Sequence, residues 1–523
     1  MGNSPSHKKD FEVGQGKDKS AKSNFRIRWA SIAIVSTILT LSGWALSSPV
    51  GSSPDDSFHL PSIWCGQGFR DEICEESPDG LAAEVPMSTF RNSDCFAFDS
   101  DKSGRCTSDE TLSPQPRVNF LDNLYPPTYY WSMSWFVNSD VAASTIVMRV
   151  ISSVFFLAAL LFLVVSLPNH LRRVPVVTFL ITSVPLGIFL ITSTNPSGWA
   201  FFLLILFYSA FTAFLVSKDP KPRWILGSLA LIFSTLASGT RADASVFVVL
   251  AIILAFIISF SRAIFSVTNI CFTLLVVLIA LYYYTSIETG TAVVISEGLG
   301  DPSAEPASAP GFFVTLAGLP NLWVGVFGAS GLGWLDTPMP AIVWALTLGV
   351  FMALMFSAVQ WFTVKQSLGV TAALFFLTFI PLYILLQSGL EVGQQVQPRY
   401  LLPLIGLLAA TALHRTSSDS GMYLSKAQVY IVGVGLFVAN AIALHLNLRR
   451  YVTGMDIMGV NLDEGIEWWW DGMPLSPNSV WLIATLASMS LLFSVWKLRH
   501  ELGLPVMSKL MGHDKEVKKE AGR

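Results

Sequence analysis

The chain has 523 residues, of which 52% are hydrophobic and only 13% charged, with a formal net charge of -3 and a mean hydropathy of +0.54. A soluble protein carries about a quarter charged residues, so this balance excludes an ordinary soluble enzyme. The charge gives no reason to invoke nucleic acid, and none is expected as a partner. Apolar runs of about 20 residues recur, each long enough to cross roughly 30 Å of hydrocarbon. Backbone groups in lipid must be satisfied within the segment, so the spans are helices. The expected fold is an all-α polytopic membrane protein, a bundle of about 12 transmembrane helices with a large first extracytoplasmic loop.

The tail 1-28 is basic, with Lys8, Lys9, Lys17, Lys19, Lys22, Arg26 and Arg28. Basic residues beside a span tend to stay cytoplasmic. The first span, 29-47, ends in Ala45-Leu46-Ser47, which looks like a signal-peptidase site. Its leader is long for a signal peptide, and cleavage would detach the acids that follow, so an uncleaved anchor is expected. Met1-Gly2-Asn3-Ser4-Pro5-Ser6 fits the myristoylation pattern and is read as a chance match.

Residues 48-142 form the one large hydrophilic segment, and it is acidic: 15 Asp or Glu against 5 Arg or Lys from Ser48 to Asp140. It opens with Pro54-Asp55-Asp56-Ser57-Phe58-His59, a compact set of proton acceptors and candidate metal ligands. It also holds Cys65, Cys74, Cys95 and Cys106, while the fifth cysteine, Cys271, falls in a span and is read as an inert packing residue. Four cysteines in one external loop fit two disulfides in an oxidising compartment. Pairing Cys65 with Cys74 and Cys95 with Cys106 is the simplest of the three connectivities. Zinc is disfavoured, because the spacings are long and no histidine adjoins these cysteines. The loop re-enters through Tyr125-Pro126-Pro127-Thr128-Tyr129-Tyr130-Trp131. Paired prolines fix an extended or turned entry. The aromatics serve as an interfacial anchor or line a groove for a sugar or lipid headgroup.

Six spans follow within 143-285, near 143-168, 174-192, 199-216, 224-238, 245-260 and 264-285. The connection 286-339 is rich in Gly and Pro. Its apolar middle, Phe312 to Phe327, is broken by Gly318, Pro320 and Gly325 and suits an interfacial or re-entrant helix. It ends in Gly331-Leu332-Gly333-Trp334-Leu335-Asp336-Thr337-Pro338, where Asp336 would cap the next helix. Five more spans, near 340-361, 369-387, 400-413, 427-446 and 477-496, precede the tail 497-523. Alternate connections carry the positive charge, from Arg172-Arg173 to Lys497 and Arg499, with Arg449-Arg450 as the exception. Both termini are therefore expected in the cytoplasm.

On the external side, Gln397-Pro398-Arg399-Tyr400 stands at the mouth of a span. A guanidinium there can take a phosphate in bidentate fashion, or can reach toward lipid headgroups. Arg241 stands near the outer end of another span, where it either binds phosphate or pairs with Asp243. Trp468-Trp469-Trp470 is expected to anchor the last loop at the interface, with stacking on sugar rings as the sharper alternative.

Taken in order, Pro54-Asp55-Asp56-x-x-His59, Tyr125-Pro126-Pro127-x-Tyr129-Tyr130, Gly333-Trp334-Leu335-Asp336-Thr337-Pro338 and Gln397-x-Arg399-Tyr400-Leu401-Leu402-Pro403 resemble a bacterial family of polytopic membrane proteins of unknown function. Its members are predicted to be membrane glycosyltransferases of the GT-C superfamily. The resemblance implies inverting transfer of a sugar from a polyprenyl-phosphate carrier to an envelope glycan, lipid or protein acceptor. The site would be extracytoplasmic, on the bacterial plasma membrane. Two positions depart from the family pattern. The second acid, usually Glu, is Asp56, and the position before Pro-Pro, often His, is Tyr125.

Such a reaction needs a carboxylate to accept the proton of the attacking hydroxyl, and Asp55 is the first choice. The leaving phosphate needs positive charge, for which Arg399 and then Arg241 are the candidates. Tyr125, Tyr129, Trp334, Asp336, Gln397 and Tyr400 are expected around the substrate. No cofactor is demanded by the sequence, although Asp56 and His59 could hold Mg²⁺ or Mn²⁺ at the leaving phosphate. His59 could equally orient Asp55. The rival readings are a transporter or flippase of lipid-linked sugars and a non-catalytic envelope-assembly partner. A transporter usually shows related halves and polar residues at mid-membrane. Here no related halves are apparent, and the polar residues cluster at the outer ends of the spans.

Overall fold

The computed structural model describes residues 7-105, 109-287, 311-360, 362-394, 396-415, 424-457 and 459-504, with backbone alone for 7-22. Among them, 11 helices are long and apolar enough to cross a membrane, from Ser23–Leu46 to Pro477–Lys497. The protein is an all-α polytopic membrane protein. The set of 11 differs from the expected twelve spans in three places. It includes Phe312–Ala329, and it leaves out Pro220–Ser238, which opens with Lys221 and Arg223, and the short Pro398–Leu413. At 1.5 Å per residue Pro398–Leu413 is about 24 Å long. It is nonetheless buried almost throughout, packed between Arg173–Thr182, Pro196–Val216 and Val364–Ser388. The helix at the centre is Pro196–Val216, every residue of which is buried but the last. Asn195 caps it by accepting from Ser197 N–H at 2.9 Å, and Pro196 supplies the preset first turn.

The connections sort to two faces. Segment 48-140 shares its face with the links at 192-195, 239-241, 330-340 and 453-476 and with the start of Pro398–Leu413, as direct contacts establish. Asn195 Nδ2 donates to Pro54 O at 2.7 Å, Trp334 Nε1 to Gly51 O at 2.9 Å, and Ser103 Oγ to Glu467 at 2.7 Å. The opposite face carries the other ends, including Arg173 bonded to Gly503 O and Lys365 bonded to Phe260 O.

Phe312–Ala329 meets the length of a span but enters and leaves on the loop face. Gly318 abuts Val392, just past Val364–Ser388, and the chain after Ala329 returns to Gly51 and Phe98 through Trp334 and Asp336. Its last turn breaks at Gly328, which has φ +111° and lies against Pro185 where a Cβ would come within 2.9 Å. Only glycine fits that conformation and that approach.

Within the first loop, strands β1 (Glu75–Glu76), β2 (Ala83–Pro86) and β3 (Leu112–Gln115) form an antiparallel sheet in that order. Cys65 and Cys74 are bonded as a disulfide. Cys95 is also disulfide-bonded, and Cys106 lies outside the described residues.

Several expectations are corrected here. Asp336 caps no helix: Ala341–Val359 starts after Pro340 without a side-chain cap, and Asp336 pairs with Arg450 at 2.9 Å. That pair removes half of the apparent charge exception at Arg449-Arg450. Arg449 accounts for the rest, donating to Gly459 O and Asn461 O at 2.9 and 2.6 Å. Trp468 and Trp470 are buried rather than interfacial, Trp468 against Gly104 and Trp470 donating to Leu46 O at 2.8 Å. Cys271 is exposed on the flank of Val267–Thr285, so it does not pack in the core.

Candidate active site

The site is built on the stretch that joins the first span to the helix Asp56–Trp64. This stretch has little regular structure of its own and is held by side chains from elsewhere. Arg149, buried inside Val141–Ser166, donates to Ala45 O at 3.1 Å, Ser48 O at 2.5 Å and Pro49 O at 2.8 Å. Asn447 reaches the hydroxyls of Ser47 and Ser48 at 2.8 and 2.9 Å, and Tyr451 donates to Ser52 O at 3.3 Å. Buried backbone carbonyls need such donors. The result is a fixed platform under Pro54.

On this platform Asp55 takes a left-handed backbone, φ 60° and ψ 21°. A non-glycine residue there costs about 1 to 3 kcal/mol and persists only when its surroundings over-determine it. The neighbours do so: Asn195 holds Pro54 O, and Asp55 O accepts from Phe58 and His59 N–H, both at 2.9 Å. The turn also sends the two acids apart.

Asp55 faces Arg399, with Oδ2 2.5 Å from Nη2. Its side chain is 41% exposed, whereas that of Arg399 is 3% exposed. Arg399 Nη2 also donates to the Tyr400 hydroxyl at 3.0 Å, but its buried Nε and Nη1 find no acceptor among the described residues. Arg241 completes the cationic wall, held bidentate by Asp243 at 2.9 Å and lying 5.7 and 5.0 Å from the rings of Tyr125 and Tyr400. Burial works to raise the Asp55 carboxyl, but Arg399, His59 and Arg241 together hold it below its ordinary 3.8. Asp55 is thus an ionised carboxylate at neutral pH, open on one side. The site joins it to Arg399, Arg241, Tyr125 and Tyr400.

Asp56 turns inward and is wholly buried. Its Oδ2 accepts from Ser53 N–H at 2.9 Å and its Oδ1 from the Thr194 hydroxyl at 3.1 Å. His59, also buried, shares a 2.9 Å hydrogen bond between Nδ1 and the Tyr130 hydroxyl. The pair does not fit the cation expected of it, because both Asp56 oxygens are already engaged. No group of three or more His, Cys, Asp or Glu among the described residues is arranged to hold a metal ion.

These two groups give opposing pH-dependences. Burial pushes the Asp56 carboxyl up to about 7 from 3.8, against the pull of Arg149, Ser53 and Thr194. Between about pH 4 and 7 the folded state then keeps a proton that the unfolded chain has lost, so this group weakens the fold as pH rises. Burial pushes His59 down to about 3 from 6.5. Below about pH 6.5 the unfolded chain gains a proton that the folded state refuses, so stability falls as pH falls. His59→Gln is expected to flatten the loss of thermal stability between about pH 6.5 and 4.5, and Asp56→Asn to steepen it. Melting curves of the purified protein across that range read both, and a His59→Gln profile parallel to the wild type would refute the assignment.

Of the other expected residues, Tyr129 lines no groove: it is fully buried against Trp199, with ring centroids 5.4 Å apart. Trp334 and Asp336 brace the loop through Gly51 O, Phe98 N–H and Arg450 rather than facing Asp55. Gln397 stands at the start of Pro398–Leu413 and makes no side-chain cap there. Arg149, Thr194, Asn195 and Asn447 are positioning residues that the sequence did not single out, and Tyr130, expected at the interface or in a groove, instead bonds the buried His59. Arg149 carried a legible signal, since an arginine deep in an apolar span needs an internal partner.

The DUF2142 family, described as "Predicted membrane protein", matches residues 38–408. None of the curated proteins matches the chain in sequence. Among solved structures, ArnT from Cupriavidus metallidurans in the apo state is similar with a TM-score of 0.40 and 11% identity, over 96% of this chain and 89% of that one. The family match takes in well over half of the chain and the blocks from Pro54 to Pro403, and the chain belongs to the DUF2142 family of predicted membrane proteins.

Proposed function

We propose that this protein is a membrane glycosyltransferase of the GT-C kind, transferring a sugar from a polyprenyl-phosphate carrier to an acceptor of the bacterial cell envelope. The observation that carries the reading is the buried guanidinium of Arg399, with two idle donor atoms beside the half-open carboxylate of Asp55. A buried charged donor without an acceptor is costly, and a phosphate oxygen would satisfy it. The ordered blocks of sequence, which resemble a family whose members are predicted to be GT-C glycosyltransferases, support the same reading.

In this reading an acceptor hydroxyl attacks the anomeric carbon from the side opposite the carrier, and Asp55 takes the hydroxyl proton as the new C–O bond forms. The bond from the anomeric carbon to the carrier oxygen breaks, and the phosphate leaves as an anion toward Arg399 and Arg241. Inversion at the anomeric carbon follows from the single displacement. Tyr125 and Tyr400, which flank Arg241, contribute apolar ring faces for the sugar. Asp56 acts as a positioning residue through Ser53 and Thr194. The loop face is then the extracytoplasmic one, with both termini in the cytoplasm.

The test is the lipid that the protein retains. Mass spectrometry of protein purified in mild detergent is expected to find a polyprenyl-phosphate sugar. Arg399→Gln should reduce its retention by at least about tenfold, the scale of one charge-assisted hydrogen bond. Equal retention by a well-folded Arg399→Gln protein would refute the phosphate assignment.

A further inference from the structure

Two apolar cavities adjoin inside the bundle. The larger, of 150 Å³, lies between the first span, Val141–Ser166, Arg173–Ile191, Lys426–Val452 and Pro477–Lys497, with Leu41, Phe156 and Phe179 among its walls. The smaller, of 110 Å³, continues it toward the face opposite Asp55 and is lined there by Trp496, Arg499 and Leu504. Leu180, Leu436, Leu492 and Val495 belong to both, so the two form one crevice.

The dimensions and the ends of this crevice identify what fits it. Along Lys426–Val452 its lining runs from Val429 to Asn440, roughly 16 Å at 1.5 Å per residue. That is about half of a 30 Å hydrocarbon layer, room for an acyl chain, and on the Arg173–Ile191 wall the lining continues to Ile191. Toward its inner end the lining residue Asn440 is fixed by Trp44, whose Nε1 donates to Asn440 Oδ1 at 3.0 Å. Its other end is basic. Arg499 donates through Nη1 to Trp496 O at 2.9 Å, while its buried Nε finds no acceptor among the described residues. Lys497 stands beside it, 4.7 Å from the Trp496 ring, and the neighbouring Glu501 is engaged by Arg26 at 2.7 Å.

We propose that the crevice is a binding site for an anionic phospholipid of the leaflet on the Arg499 side. One acyl chain lies between the spans and the phosphate rests on Arg499. An acyl chain in a wall of Leu, Val and Phe replaces voids that would otherwise forfeit dispersion contacts. The guanidinium supplies the charge-assisted donor that selects an anionic headgroup. A polyprenyl donor seated at Arg399 has its phosphate on the other face, so it is a different ligand, and this site stands whether or not the protein transfers sugar.

Delipidated full-length protein, offered phosphatidylglycerol or phosphatidylethanolamine in detergent, tests the site by native mass spectrometry. The wild type is expected to retain phosphatidylglycerol at least about tenfold better, the scale of one charge-assisted contact, and Arg499→Gln to lose that preference. Leu436→Trp, which fills the crevice, should lose the bound lipid of either kind. Equal retention of the two lipids by the wild type, or an undiminished preference in Arg499→Gln, would overturn the proposal. Should Leu436→Trp fail to fold, Val495→Phe narrows the same crevice from the facing helix, and full lipid retention by it would count equally against the site.

Discussion

Asp55→Asn is expected to lower the rate of sugar transfer by at least about 100-fold, the lower end of what a positioned general base supplies. Asparagine keeps the size of the side chain and tolerates the left-handed backbone at this position better than most residues. The substitution therefore removes the proton acceptor with little disturbance to the turn. It also releases Arg399 from its 2.5 Å partner, which leaves the guanidinium freer to take the donor phosphate. The rate at saturating donor should thus collapse while retention of the lipid-linked donor holds or improves. That split separates loss of a base from loss of binding, because uniform weakening of binding would raise KM and leave kcat alone. Asp56→Asn is the matched control. Its carboxylate is buried against Ser53 and Thr194, and the Thr194 hydroxyl can reverse its role and accept from the new amide. Transfer by Asp55→Asn at the wild-type rate would sink the base assignment, and an equal collapse in Asp56→Asn would sink the division of roles.

The sequence made some of this legible because certain signals are local. An apolar run long enough to cross a membrane needs no partner to be recognised, and each of the expected spans is helical, 174-192 with a break at Val184. Breakers are less decisive: Pro320 lies inside the continuous helix Phe312–Val324 and Gly325 keeps helical dihedrals, so the break falls at Gly328 instead. What stayed hidden depends on pairs far apart in the chain. Asp336 beside Thr-Pro reads as a cap, since nothing nearby reveals that its partner is Arg450, 114 residues on. Asp55 and Arg399 each stood out alone, one as a base and the other as a phosphate ligand. Their contact across 344 residues changes both, making the carboxylate more acidic and engaging one nitrogen of the guanidinium. Tyr129 illustrates a further limit. Tyr125, Tyr129 and Tyr130 are the same residue type in one short block, yet Tyr129 is wholly buried on Trp199 while Tyr125 flanks Arg241. The helical turn of Thr128–Met133 sends Tyr129 to Trp199 and Tyr130 to His59, while Tyr125 precedes that turn and is held by Asn119.

Breaking the Asp336–Arg450 pair is expected to produce the largest loss of stability. The two side chains are 2% and 0% exposed and meet at 2.9 Å. Removing one member leaves the other as an uncompensated buried charge, at a cost of about 3 to 5 kcal/mol. Arg450 also donates to Phe96 O at 2.7 Å and to Lys102 O, so Arg450→Met removes a donor from two further carbonyls and should be the worse of the single changes. Asp336→Leu and Arg450→Met are each expected to lower the apparent Tm of the detergent-solubilised protein by at least about 5 °C. The double variant should recover part of that loss, because a well-packed apolar pair can replace a buried ion pair. Strictly additive losses in the double variant would show that the two side chains do not act as a pair. The effect should reach the candidate site as well. Trp334, two residues before Asp336, holds Gly51 O, and Tyr451, next to Arg450, holds Ser52 O, so both ends of the ion pair grip the platform under Asp55. A variant that stays folded at low temperature should then show slower transfer with unchanged donor retention, since the carboxylate loses its fixed position while Arg399 keeps its own.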